Sequence, residues 1–158
     1  MKRLFFCLLL CAVGLCWADR TILILQFPPD FKVALNLFRT GAVDKIDGSA
    51  EVKRNKDNKQ PTHVVVSIKD APAPSSVRPE YQAYVVWAID GKANFVNLGT
   101  ISKDLKTDTP LKSFGILVSV EVNPTVKSPK GTFVLESQFP EKKNSFFGMT
   151  KVVYTESQ

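Results

Sequence analysis

The sequence predicts an all-β fold, an antiparallel immunoglobulin-like β-sandwich with a small β-barrel as the alternative, and three observations carry that prediction. Apolar residues recur at every second position in one segment after another, as they do when side chains point to opposite faces of a sheet. Clusters rich in proline, glycine and aspartate separate these segments at short intervals; proline removes a ladder donor and glycine tolerates positive φ, so such clusters end strands. No window carries an amphipathic helical stripe. LGTISKDLKTD, from Leu98 to Asp108, comes nearest and accounts for one turn at most. Short strands at this spacing pack as an antiparallel sandwich or barrel.

The chain opens with MKRLFFCLLLCAVGLCWADR. Lys2 and Arg3 precede an uncharged run from Leu4 to Trp17, and the small Ala18 stands before Asp19. This is the pattern of a secretory signal peptide over residues 1–18, cut after Ala18. The apolar run is shorter than the roughly 20 residues of a spanning helix, so the expectation is an exported protein, periplasmic or extracellular, with no transmembrane segment after cleavage. Cys7, Cys11 and Cys16, the three cysteines, all fall in the removed part. Thiol catalysis, Cys-ligated zinc and a disulfide framework are therefore not expected. Removing 18 of the 158 residues leaves 140, enough for one core that stands without disulfides. Residues 19–158 are read as a single β-sandwich domain.

TILILQF is the first strand candidate, and FPPD closes it. In FKVALNLF, Val33, Leu35 and Leu37 alternate with Ala34 and Asn36, and Asp47-Gly48 marks a turn beyond it. EVKRNKDNKQ, from Glu51 to Gln60, reads as a solvated hairpin tip. It is the densest basic stretch, but it carries no aromatic residue to stack on a base, and the cleaved chain would have 19 bases against 15 acids, a formal charge of +4. Nucleic acid is not an expected partner. HVVVSIK alternates through Val64, Val66 and Ile68, and the proline-rich Ala71 to Pro79 follows as an inter-sheet crossover. Later strands are FGILVSVEV, GTFVLES and MTKVVYTE, with turns at Asn123-Pro124 and Pro129-Lys130-Gly131.

Between the crossover and FGILVSVEV lies YQAYVVWAIDGKANFVNLGTI. A two-residue turn at Asp90-Gly91 would pair Ile89 with Lys92, Trp87 with Asn94 and Val85 with Val96. One face then gathers Ala83, Val85, Trp87, Val96 and Leu98, a core face with Trp87 near its end. The other carries Tyr84, Val86 and Phe95, an apolar set that is either covered or a shallow patch. Tyr84, Trp87 and Phe95 are accordingly the candidate binding residues, with a core role the first reading for Trp87.

Tyr84, Trp87, Asp90-Gly91-Lys92 and Leu98-Gly99, followed by FGILVSVEVNPTVKSPKGTFVLES, resemble the extracytoplasmic domain of anti-sigma-K factor proteins and stand-alone exported bacterial proteins that share it. The likeness runs from Tyr81 to Glu136. Ser128-Pro129-Lys130-Gly131 fits the family's loop, whereas its Glu-Pro element is spaced out here as Glu121, Val122, Asn123, Pro124. The resemblance implies a β-sandwich more than an activity.

Reactive clusters are sparse. His63 is the sole histidine, and Ser67, four residues along the same strand, lies outside any Gly-x-Ser-x-Gly elbow. With no second His and no Cys, no metal site is expected. Asp44 with Asp47, and Asp104 with Asp108, lack the alternating acidic pattern of a calcium loop and read as turn and cap residues. No phosphate-cradling loop or cofactor signature is present. The reading is a non-catalytic exported protein, not an enzyme, that binds or senses an envelope protein or glycan. The alternative is an assembly component pairing through an exposed strand edge, with SFFGMTKVVYTESQ as the segment concerned; an envelope hydrolase ranks below both.

Overall fold

The computed structural model describes residues 19–137 and 149–155, with side chains for residues 20–137. Residues 1–18, where the sequence leads one to expect a signal peptide, lie outside the described residues. The strands are β1 (Asp19–Gln26), β2 (Phe31–Arg39), β3 (Asp47–Arg54), β4 (Thr62–Lys69), β5 (Ala83–Ile89), β6 (Phe95–Ile101), β7 (Asp104–Thr109), β8 (Ser113–Glu121), β9 (Thr132–Ser137) and β10 (Met149–Thr155), and α1 (Pro74–Val77) is a single turn between β4 and β5. Every strand pairing is antiparallel.

The all-β antiparallel architecture is the one the sequence predicts. Strands follow one another as β6-β5-β8-β9-β2-β3-β4-β7, and the Ser102-Lys103 turn returns β7 to β6. The result is a nearly closed sheet, the arrangement of the small-barrel alternative. β1 joins β8 through Leu25 opposite Phe114 and Gln26 opposite Ser113, and β10 pairs along β1 from Asp19 to Leu25.

Residue periodicity decides which face each strand buries. In β4, Thr62, Val64, Val66 and Ile68 are buried while His63, Val65 and Ser67 are partly exposed. β2 buries Leu35 and Leu37 in the same way. These residues fill the interior with Val52, Val86, Ile116 and Val118. β5 and β8 are covered on both faces, which is why AYVVWAI and FGILVSVE read as near-continuous apolar runs. Their second face joins Ile22, Ile24 and Phe133 in a separate cluster around Trp87.

Two strands differ from expectation. Asp47-Gly48 opens β3 instead of turning the chain, because Gly48 sits between Leu37 and Ile68 in the ladder and a Cβ there would lie 2.6 Å from Leu135 Cδ1. The weakly helical window at Leu98–Asp108 is instead the end of β6 and most of β7. DLKTDT alternates, with Thr109 buried and Leu105 and Thr107 partly so, but charged residues fill the outward positions and mask the pattern.

The β5–β6 register is also corrected. Ile89 pairs with Phe95, Ala88 with Val96 and Trp87 with Asn97, so the connection spans Asp90 to Asn94 and is not a two-residue turn. Asp90 organises it: its carboxylate accepts from the Lys92 and Asn94 backbone N–H groups and from Asn94 Nδ2 at 2.8 to 2.9 Å. Ala93 takes φ 62° to complete the loop. The change reverses the parity of the pairing over Phe95 to Leu98, which puts those β6 side chains on the opposite face from the one a two-residue turn implies. Trp87 thus shares its face with Phe95, while Val86 shares its own with Leu98.

Burial would raise the Asp90 carboxyl, but hydrogen bonds from Asn94 and Lys92 and the Lys92 charge outweigh it and hold the group below its ordinary value of 3.8. A depressed folded-state value stabilises the fold fully above the unfolded value and loses that contribution as pH falls through the lower folded one. Urea midpoints compared across the acid range below 3.8 should therefore fall less steeply for Asp90→Asn than for the parent.

Candidate functional site

An open cleft of about 470 Å³ lies at one end of the barrel, where the β4–β5 crossover meets the start of β5 and the β6–β7 turn. That volume is within the range of small-ligand sites. One wall is Ala71, Pro72, Ala73 and Pro74; the other presents Gln82, Thr100, Ser102 and Asp104. Asp70, at φ 53°, turns the chain out of β4 into the crossover. Tyr84 Oη donates to the Pro72 carbonyl at 2.8 Å and ties the crossover to the barrel wall. Burial holds the Tyr84 phenol above its ordinary value of 10.0, so it remains a donor through the neutral range.

A β-bulge sets the second wall. Val86 pairs with Gly99 whereas Trp87 pairs with Asn97, leaving Leu98 as the extra residue. Leu98 is buried in the interior, and simple alternation would send Thr100 there too; past the bulge Ile101 is buried and Thr100 is exposed. Bulges re-aim side chains in this way beside functional surfaces. Gly99 adopts φ 130°, which a side chain would strain.

Asp104, the first residue of β7, faces Ser67 across the ladder and accepts from Ser67 Oγ at 2.6 Å. On the far side of this pair, Asp47, Ser49, Ser67 and Lys69 line a smaller hollow of about 160 Å³. Further along the same strands Asp108 hydrogen-bonds His63 Nδ1, and Asn55 Nδ2 lies 3.1 Å from His63 Nε2. With Nδ1 donating to the carboxylate, Nε2 accepts from the asparagine amide, and both ring nitrogens are engaged. Ser67 is bonded to Asp104, not to His63. Among the described residues, no group of three or more His, Cys, Asp or Glu side chains is gathered as metal ligands, and no helix is long and apolar enough to cross a membrane.

The three residues singled out from the sequence separate. Tyr84 is 4% exposed and lines the cleft. Trp87 is 0% exposed and lines neither hollow; its Nε1 donates to Ser119 Oγ at 2.8 Å. Phe95 is partly buried, edge-on to Trp87 at 6.2 Å and stacked on Phe133 at 6.3 Å. The grouping of Tyr84, Val86 and Phe95 as one patch is therefore corrected: the first two face the interior and Phe95 faces the outer cluster. Sequence reading passed over Gln82, Thr100 and Ser102, and took Asp104 for a turn or cap residue. The Lys-flanked polar run after Gly99 was their one local signal; no local pattern links it to Gln82 or to the proline-rich wall.

Comparison with protein-family models, with curated proteins and with solved structures returns no match. Within this chain, the residues that carry the resemblance noted above serve the fold. Trp87 fills the outer cluster, Gly99 forms the bulge, and Lys130 and Gly131 donate backbone N–H groups to the buried Glu121 carboxylate.

Proposed function

We propose that the chain is an exported, non-catalytic binding or sensing protein of the cell envelope, with the barrel-end cleft as its ligand site. The observation that carries this reading is the cleft itself, where polar groups from two distant segments, Gln82 and the Thr100–Asp104 run, face an apolar, proline-rich wall. The engagement of both His63 nitrogens supports binding over general-base chemistry at that residue. The signal-peptide pattern supports export, and the resemblance of Tyr81 to Glu136 to anti-sigma-K extracytoplasmic domains supports a sensing role.

Affinity capture tests the proposal. The purified protein is used as bait against solubilised envelope fractions, beside a Ser102→Trp variant that fills the cleft from an exposed turn position. Reproducible capture by the parent and its loss in the still-folded variant is the expected result. Capture that survives the substitution would remove the cleft from the account.

The assembly reading retains one supporting observation: β10 ends the strand order, and its outer edge is unpaired by any described strand. Deleting residues 145–158 is a poor probe of it, because β1 would lose its partner along seven positions.

A further inference from the structure

The ionised groups around the cleft point to its ligand. We infer that the site takes a small saccharide carrying a protonated amine, an amino sugar; the inference rests on the cleft being the binding site, as proposed above. Among the described residues Asp104 is the one charged side chain lining the cleft, and the adjoining hollow adds Asp47 and Lys69. Two acids against one base disfavour an anionic ligand and favour a cation, which a carboxylate binds through short charge-assisted hydrogen bonds. Asp104 spends Oδ1 on Ser67, and among the described residues no hydrogen bond engages its second oxygen.

The remaining lining decides between kinds of cation. Thr100, Ser102 and Gln82 are exposed and offer both donors and acceptors. A polyamine, whose charges are separated by methylene chains, would leave these groups unmatched on binding. A pyranose has hydroxyls to meet them, and its C–H face suits the wall of Ala71, Pro72 and Pro74. The crossover is held against β5 by the Tyr84–Pro72 hydrogen bond, so the wall is in place before a ligand arrives.

Calorimetry with a glucosamine trimer, an N-acetylglucosamine trimer and a galacturonate trimer, at low salt and mildly acidic pH, tests the inference; amide NMR shifts locate the site. The glucosamine trimer should bind tightest and the uronate not at all, with shifts at residues 82–84 and 100–104. Asp104→Asn keeps an acceptor for Ser67 and should weaken glucosamine binding about tenfold, the loss of one charge-assisted contact, while changing N-acetylglucosamine binding less than about threefold. Spermidine is the control cation and should bind more weakly than the glucosamine trimer. Uronate binding as tight as glucosamine, tighter spermidine binding, or an unchanged glucosamine affinity in Asp104→Asn would overturn the amino-sugar assignment. If no saccharide shifts the cleft but Ser102→Trp still abolishes envelope capture, the ligand class fails and the site stands. If capture is indifferent to Ser102→Trp, both fail.

Discussion

Trp87→Ala is expected to lower the free energy of unfolding by about 3 to 5 kcal/mol, the usual cost of removing a buried large aromatic side chain. The indole is fully buried among Ile22, Ile24, Leu117 and Phe133, on the outer face of the β5–β8 pair. Its removal leaves a cavity in that cluster and frees the Ser119 hydroxyl, which receives Trp87 Nε1 and donates to Glu121 Oε1. Since the whole stability of a domain is about 5 to 15 kcal/mol, the variant should unfold at much lower urea than the parent. Trp87→Phe restores most of the ring volume without the indole N–H, and should recover the greater part of the loss. Urea denaturation of both variants measures the two contributions. A Trp87→Ala change below about 1 kcal/mol would contradict the placement of this residue in the core.

Gly131→Ala should be as damaging, for a reason confined to the backbone. A Cβ at Gly131 would lie 1.8 Å from the Val120 carbonyl oxygen and 2.8 Å from its carbon, so either β8 or the loop that carries Gly131 must move. The shift would also break the 2.8 Å hydrogen bond from Gly131 N to Glu121 Oε2. Glu121 is 1% exposed, and its carboxylate is satisfied by Ser119 Oγ and the Lys130 and Gly131 N–H groups. Depriving a buried carboxylate of partners costs about 3 kcal/mol or more. Gly91→Ala is the control: no atom lies within 4 Å of the added methyl, and its effect should stay within about 0.5 kcal/mol. Equal midpoints for the two glycine variants would contradict the account of this loop.

These two sites show what the sequence could and could not reveal. Strand existence was legible wherever one face alone is buried, as in β2 and β4, because period two then appears directly. The burial of Trp87 was legible from its size and from its place in an apolar strand. Its neighbours were not, because the loop length at Asp90 fixes the register, and the Asp90 carboxylate holds a longer loop than Asp-Gly alone implies. One change of parity moved Phe95 to the other face. Glu121 is a charged residue in the strand FGILVSVEV, and nothing in that local pattern predicts its burial. Its burial depends on Lys130 and Gly131 arriving from across the β8–β9 connection, a non-local event. The cleft was hidden for the same reason. Thr100 reaches it through a bulge, Tyr84 holds the opposite wall through the Pro72 carbonyl, and Asp104 stands at its rim through pairing with Ser67.

Hydrogen exchange on the captured envelope complex, compared with the free protein, tests the central claim most directly. A ligand held in the cleft should slow exchange at residues 82–84 and 100–104, where the β5 and β6–β7 walls face it, and leave Met149–Thr155 unchanged. Protection confined to Met149–Thr155, with the cleft amides exchanging at their free rates, would contradict the account and make edge pairing through β10 the mode of association.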